Sequence, residues 1–301
     1  MAMLPIVFIH TGTSFYLPTT LLQAAAASPR SERFMLGDWG SLALGSVVKR
    51  EPVKRYWRRA AELARVFENF STNAAGFELV CLQRWLALAE WMQAHGIDEC
   101  LYLDSDVMLY SDVESARKTV PVGAGMTVAG ISGHTNFIGS RRVLEAYGDS
   151  ILDHYTRPGG KEELREKYRL FRQTHAGGGI SDMSFFTEFR EANPGLVADI
   201  SRVAETESGP TTFDITLDYT VGYRAEEGLK EIRIGADGHA YAMEVPSGRP
   251  VRFHTLHFQG DRSKQVLTRY ATTPAAARHA LERKNARLGL AYRAWRRMKS
   301  R

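Results

Sequence analysis

The chain has 301 residues, 44% of them hydrophobic and 24% charged, the proportions of an ordinary globular protein rather than a disordered or fibrous one. Its two cysteines, Cys81 and Cys100, exclude a disulfide framework and have no partner at zinc-ligand spacing, so they read as reduced core thiols. The formal charge of +5 is unevenly placed: residues 278–301 carry nine Lys/Arg against one acid, which leaves −3 for the other 277 residues, and an acidic body argues against a nucleic-acid partner.

Residues 1–9 show no basic segment ahead of an apolar stretch, and no run of 18 or more apolar residues occurs. The reading is a cytoplasmic chain without a signal peptide or a membrane span. Ile6–Ile9 predicts a first strand, residues 17–27 a helix, and Arg33–Leu36 a second strand. From Glu78 to His95 the residues Phe77, Cys81, Trp85, Leu88 and Met92 recur every three or four positions. That spacing predicts a helix with one continuous apolar stripe, ended by Gly96 as a left-handed cap. Cys100–Leu103 predicts the next strand, and the β-α-β-α-β order predicts a mostly parallel sheet covered by helices on both faces.

Farther along, Thr127–Ser132 and Phe137–Ile138 read as short strands and Arg141–His154 as a helix. The charge-rich segment Arg157–His175, bounded by Gly159-Gly160 and Gly177-Gly178-Gly179, reads as a long loop, and Arg157–Gly179 as either a mobile solvated loop or a lid. Ser181 is a plausible N-cap for a helix reaching Phe189. Residues 195–257 hold strand-like pieces with turns at Ser208-Gly209-Pro210, Asp237-Gly238 and Ser247-Gly248. No repeat or linker divides the chain, so residues 1–265 read as one domain and 266–301 as a basic helical tail. In that tail Leu281, Leu288, Tyr292, Trp295 and Met298 share a helical face ringed by Arg283, Arg287, Arg293, Arg296 and Arg297. This is the pattern of a helix lying on an anionic membrane surface. The alternative is a helix packed on the domain, and Gly289 weakens either helix.

The stretch Leu101-Tyr102-Leu103-Asp104-Ser105-Asp106-Val107-Met108 sets two carboxylates inside an apolar run. Residues two apart on an extended chain point to one side, and ligands of open α/β sheets bind beyond the carboxyl ends of strands. Two hard oxygen ligands there suit Mg²⁺ or Mn²⁺ together with substrate phosphates. A second stretch, Arg252–Lys264, offers His257 as an imidazole ligand, which favours Mn²⁺. Gly260 allows backbone to approach a phosphate, and Lys264 or Arg262 can offset phosphate charge. A histidine in a strand is otherwise a satisfied core residue, a reading that fits His254. A haloacid dehalogenase-type phosphohydrolase also places Asp-x-Asp at a strand end, but its signature wants Thr or Val where Met108 stands.

Taken in order, the segments IVFIHTGTSFY, FMLGD, FELVCLQRWLALAEWM, YLDSDVMLYSD, GHTNFIG, GGISDMSFF and HFQG span residues 4–264. Together they resemble the GT-A nucleotide-sugar glycosyltransferases related to glycosyltransferase family 8. The resemblance implies a GT-A, Rossmann-like α/β fold with a mixed, mostly parallel sheet. It also implies transfer of a sugar from a nucleoside diphosphate donor, a UDP-sugar in the first instance, to a saccharide or lipid-linked acceptor, in surface polysaccharide or lipopolysaccharide synthesis. Asp104, Asp106 and His257 would hold Mn²⁺ or Mg²⁺. His10, Thr11 and Gly12 would cradle the nucleotide, with Asp38 near the nucleoside and Ser105 between the two metal-binding acids. Arg84 would reach the diphosphate or donor sugar, Asn136 would border that sugar, Gly260 and Lys264 would meet the diphosphate, and Asp182 would face sugar and acceptor.

The chain departs from the family pattern in two places. Lys264 lies seven rather than six residues after His257, with Gln265-Val266 in place of Pro-Trp, which leaves open which cation meets the diphosphate. The first loop lacks the acid that many relatives use on the base. HFQG resembles retaining members, in which a diphosphate oxygen takes the acceptor's proton, whereas an inverting reaction needs Asp182 or Glu188 as general base. A nucleotide-sugar sensor without turnover is the other reading. The tail would place the protein peripherally on the inner membrane leaflet.

Overall fold

The computed structural model describes residues 3–38 and 47–273. The chain opens with β1 (Ile6–His10), whose Ile6, Val7 and Phe8 are wholly buried. Helix α1 (Leu17–Ala27) carries Pro18 in its first turn, where a missing N–H costs no helical bond, and leads to β2 (Arg33–Gly37). Next come β3 (Lys49–Pro52), α2 (Arg58–Val66), the long α3 (Ala75–His95) and β4 (Cys100–Leu103). β1 pairs in parallel with β2 and β4, and β2 with β3, so each return needs a crossover; α1 lies between β1 and β2, and α2 and α3 between β3 and β4. β5 (Val107–Leu109), α4 (Val113–Arg117), β6 (Met126–Val128) and β7 (Thr135–Ile138) follow. β7 joins antiparallel to β4 and completes the order β3-β2-β1-β4-β7. The result is the mixed, mostly parallel sheet expected from the sequence.

Alternate side chains of β1 go to opposite faces. Val7 packs with Trp85, Leu86 and Trp91 of α3, whereas Ile6 and Phe8 pack with Leu17 and Leu21 of α1 and Val113 of α4. Helix α3 ends at Gly96 with φ 63°, the left-handed cap its sequence requires. Its single stripe is a correction: Phe77 is 61% exposed, while Leu82, Leu86, Ala87 and Trp91 are buried as well as Trp85, Leu88 and Met92. The helix is wedged between the sheet and its helical neighbours, α2 among them, so its middle turns, residues 82–92, are buried nearly all round. Its first turn projects past the sheet instead.

Three helices continue the layer: α5 (Arg141–Thr156), α6 (Gly160–Phe171) and α7 (Asp182–Ala192). Helix α6 occupies the segment expected to be a loop. Gly159, at φ 78°, breaks the chain from α5, and Leu164 anchors the new helix in the core. The charges then pair, Arg157 with Glu163, Arg165 with Glu68, Arg169 with Glu166 and Lys167 with Glu188. One buried leucine in twelve residues is too little for a visible period, and a solvated helix face has the composition of a loop. Ser181 caps α7 in a reciprocal capping box with Ser184, as expected of an N-cap serine.

The remaining strands are β8 (Val197–Asp199), β9 (Ala204–Thr206), β10 (Gly209–Thr212), β11 (Ala225–Glu226), β12 (Leu229–Lys230), β13 (Ile232–Ile234), β14 (Ala240–Met243), β15 (Pro250–Phe253) and β16 (Thr255–His257). β8 pairs in parallel with β6, and β9 to β15 build a second sheet, ordered β13-β14-β15-β10-β9, and the small β11–β12 hairpin. β16 leaves that sheet and pairs antiparallel with β5, His257 opposite Val107. Helix α8 (Gly260–Val266) follows. Beyond it Leu267 is wholly buried, the Tyr110 hydroxyl donates to Tyr270 O at 2.9 Å, and Gln23 bonds Thr272 at 2.7 Å. The amphipathic pattern of residues 281–298 lies outside the described residues.

Leu164→Ala is expected to cost about 2–5 kcal/mol and to make Arg165, Lys167 and Arg169 the first tryptic sites cut. Proteolysis at wild-type rates would show that α6 does not depend on this anchor.

Candidate functional site

The site begins where β4 ends. Asp104-Ser105-Asp106 forms a tight turn, closed by the Val107 N–H donating to Asp104 O at 3.0 Å. Alternation along an extended strand is therefore not what brings the two acids together; the turn between β4 and β5 does so. The β5–β16 register then sets His257 beside them, and the Phe258 N–H donates to Asp106 O at 3.0 Å. One oxygen from each of Asp104 and Asp106 and a ring nitrogen of His257 lie within 4.8 Å of one another.

The imidazole is oriented for ligation. His257 Nδ1 lies 2.9 Å from Ile215 O, and because a carbonyl can only accept, Nδ1 carries the proton. Nε2 faces the acids and lies 3.7 Å from Asp106 Oδ1. The ring is stacked on His134, with centroids 3.8 Å apart. Burial, with His257 adding to it, pushes the His134 pKa well down. Two carboxylates and an imidazole nitrogen are a donor set that fits a divalent cation.

Fixed cations surround the acids. Arg84 comes from α3 and Asp182 is the first residue of α7. Arg84 Nη1 lies 2.5 Å from Asp104 Oδ1 and Nη2 2.6 Å from Asp182 Oδ2. Tyr102 donates to Asp104 Oδ1 at 2.6 Å and Trp85 Nε1 to Asp182 Oδ2 at 3.4 Å. The guanidinium also lies 4.7 Å from the Trp85 ring. Burial alone would raise the Asp104 pKa, but Arg84, the Tyr102 hydroxyl and His257 bring it down to about 2. Burial likewise disfavours the charge on Arg84, and the carboxylates of Asp104 and Asp182 more than offset it. Lys264 reaches Asp106 Oδ2 at 3.0 Å; burial opposes its charge, and Asp106, Tyr16 and Asp261 together raise its pKa in spite of it.

The first loop is tied to the same turn. His10 Nδ1 and Ser105 Oγ are 2.9 Å apart, and Thr20 donates to Ser105 O at 2.8 Å. Burial lowers the His10 pKa and keeps the ring neutral, and its Nε2 is buried with no partner among the described residues. Gly12, at φ 79°, donates its N–H to Asp38 Oδ2 at 2.8 Å, and Thr11 is exposed. Gly260, at φ 78°, opens α8. Asn136 is wholly buried in β7, where its Oδ1 accepts from the Thr127 N–H at 2.9 Å.

A cavity of about 880 Å³ opens over this centre, reached by Arg84, Asp104, Asp106, Asp182, His257 and Lys264. Gly260 is on its lining and Asn136 is not. Its other wall carries Phe77, Ile131, Lys167, Phe171 and Glu188, so the projecting turn of α3 and the helix α6 both border it. Sequence reasoning missed the supports of the centre: Tyr102 and Trp85 on the acids, His134 on the imidazole, and Asp214, which accepts the His257 N–H at 3.0 Å. His134 and Tyr102 stand inside the motifs that drew attention; nothing local marks Asp214.

No protein-family model matches this chain, and no curated protein matches it either. Solved structures do resemble it. An active-site mutant of the galactosyltransferase LgtC aligns over 92% of this chain and 100% of its own, at 13% identity and a TM-score of 0.46. Mouse xyloside xylosyltransferase 1 aligns over 66% of this chain and 85% of its own, at 13% identity and a TM-score of 0.44. The glycosyltransferase GlyE of Streptococcus pneumoniae aligns over 95% of this chain and 64% of its own, at 11% identity and a TM-score of 0.40. These three are glycosyltransferases.

The depressed Asp104 pKa has a defined sign. Its contribution to stability is fully present above the ordinary aspartate value of about 4 and is lost as pH falls toward about 2. Denaturant melts of metal-free wild type and Asp104→Asn should differ by a constant amount from neutral pH down to about 5 and converge only below about 4. A difference that vanishes near neutral pH would contradict the pairing.

Proposed function

We propose that this chain is a metal-dependent glycosyltransferase that moves a sugar from a nucleoside diphosphate, UDP in the first instance, to a saccharide or lipid-linked acceptor. The observation that carries the reading is the convergence of Asp104, Asp106 and His257 with Lys264 on one cavity floor. Asp104, Asp106 and His257 would hold the cation, Mn²⁺ by its nitrogen ligand. Bound there, it neutralises the diphosphate and stabilises it as a leaving group.

The chain's own residues do the rest. Lys264 supplies a second positive charge to the diphosphate, and the Gly260 backbone and the 10–12 loop line its path. Arg84 holds Asp104 and Asp182 in fixed positions, so the acids are oriented before any ligand arrives. Asp182 faces the donor sugar and the acceptor. Phe77, Ile131, Phe171, Ile180 and Met183 give the cavity apolar lining that reduces the water competing with the acceptor.

We assign the reaction as retaining. The bond from the anomeric carbon to the phosphate oxygen breaks, one to the acceptor oxygen forms, and the acceptor's proton passes to the departing diphosphate. Neither acid that could serve instead as a base is free: Asp182 is bound by Arg84 and Trp85, and Glu188 lies 2.8 Å from Lys167 and 3.4 Å from His154. Among the described residues no helix is long and apolar enough to cross a membrane. The basic residues of 278–301 are proposed to meet anionic lipid, which would bring a lipid-linked acceptor of surface polysaccharide synthesis within reach.

Mn²⁺ and UDP together should raise the melting temperature by about 5 °C or more at saturating concentration. Neither alone should match this, and Asp106→Ala should abolish it. Manganese-independent nucleotide binding would overturn the metal-centred reading. Slow release of UDP from the stabilising sugar nucleotide separates an enzyme from a sensor, and the anomeric configuration of the product by NMR decides between retention and inversion. Full-length protein, but not residues 1–277, should sediment with anionic liposomes; equal recovery without lipid preference would remove the membrane role.

A further inference from the structure

Away from the cavity floor, the strongest unassigned feature is an ion pair behind His257. Lys230, at the end of β12, lies 2.8 Å from Asp214 Oδ1, and the two side chains are 2% and 0% exposed. Lys230 Nζ also donates to Thr216 O at 2.6 Å, and its ammonium lies 5.8 Å from the rings of both Tyr219 and Tyr223. The other oxygen of Asp214 accepts the His257 N–H at 3.0 Å. The backbone of the same segment completes the contact. Asp214 O lies 2.9 Å from His134 Nε2, and Ile215 O lies 2.9 Å from His257 Nδ1. Leu217 donates to His257 O and accepts from Lys230 N, each at 2.9 Å.

A buried ion pair is a poor device for stability alone, because removing two charges from water consumes most of the Coulomb gain. This one does something an apolar pair could not. Through the 214–217 segment it fixes the backbone of His257, the carbonyl that selects the His257 tautomer, and the ring stacked on the imidazole. Groups that orient a metal-binding histidine from outside the coordination sphere commonly change metal affinity by about 10- to 100-fold.

We propose that Lys230 and Asp214 are positioning residues that set the affinity of the Asp104–Asp106–His257 centre for its cation, although neither belongs to that centre. The inference rests on reading those three residues as a metal site. The test reads ion occupancy by the EPR spectrum of free Mn²⁺ during titration of the full chain at 10 °C, so no sugar transfer is involved. Lys230→Met should raise the Kd for Mn²⁺ about tenfold or more. The double variant Asp214→Leu/Lys230→Met, which leaves no unpaired buried charge, should remain folded and still show the raised Kd. Ile151→Ala, a core change in α5, should lower the melting temperature yet leave the Kd within about twofold.

If the two pair variants hold Mn²⁺ as tightly as wild type, or are unfolded at 10 °C so that the pair serves the fold alone, the proposal is overturned. Failure of wild type itself to bind Mn²⁺ would instead overturn the metal site on which the inference rests.

Discussion

The structure turns on the compensation of negative charge at one end of its sheet. Asp104, Asp106 and Asp182 come from two segments far apart in sequence and meet at the floor of one cavity. Carboxylates gathered in a partly desolvated place repel one another and lose hydration unless cations are supplied. Arg84 supplies one charge to two of them, and Lys264 supplies another to Asp106. The arrangement is balanced by protein charge on one side, while Nε2 of His257 faces the acids on the other. The proposed cation would enter without rearranging these acids, which are already held in place by Arg84, Tyr102 and Trp85.

That balance depends on one strand pairing. β5 leaves the β4 turn and accepts β16 with His257 opposite Val107. A slip of one residue would send the His257 side chain to the opposite face, because side chains alternate along a strand. The second sheet, the 214–217 segment and the Lys230 hairpin all brace β16 from behind, and His254, one residue before β16, is bound by Thr211 and Ser111 in the core. His254 and His257 illustrate how neighbouring histidines in one strand region differ. The first has both ring nitrogens engaged and its pKa lowered to about 3 by burial, and the second keeps one nitrogen for the site.

Helix α3 links this chemistry to the core. Trp85 and Trp91 lie wholly buried against the sheet, which fixes the helix and so fixes Arg84, one residue before Trp85. The same rigidity places Phe77 at the cavity wall. Helix α6, held by a single buried leucine and a coat of ion pairs, is the less firmly attached wall, since exposed pairs contribute little each.

Much of the first sheet was legible in the sequence, because its strands are short apolar runs between helices with clear ends: Gly96 and Ser181 closed and opened their helices as such residues do. The resemblance of several ordered motifs also pointed to Asp104, Asp106, His257, Arg84 and Asp182, and tertiary structure brings those five to one cavity. What local pattern could not supply was the reason the acids converge, a turn rather than a pleat, since φ and ψ are not written in residue spacing. It could not supply the helix at 160–171, where solvated charge hides the period, nor the burial on nearly all sides of the middle turns of α3, which depends on neighbours distant in sequence. The pairing of Arg84 with two acids and the bracing of His257 by Asp214 and Lys230 were decided only by the folded chain. Hydrogen bonds and ion pairs act over about 3 Å of space, and nothing in a linear sequence measures that distance between residues 20 to 100 positions apart.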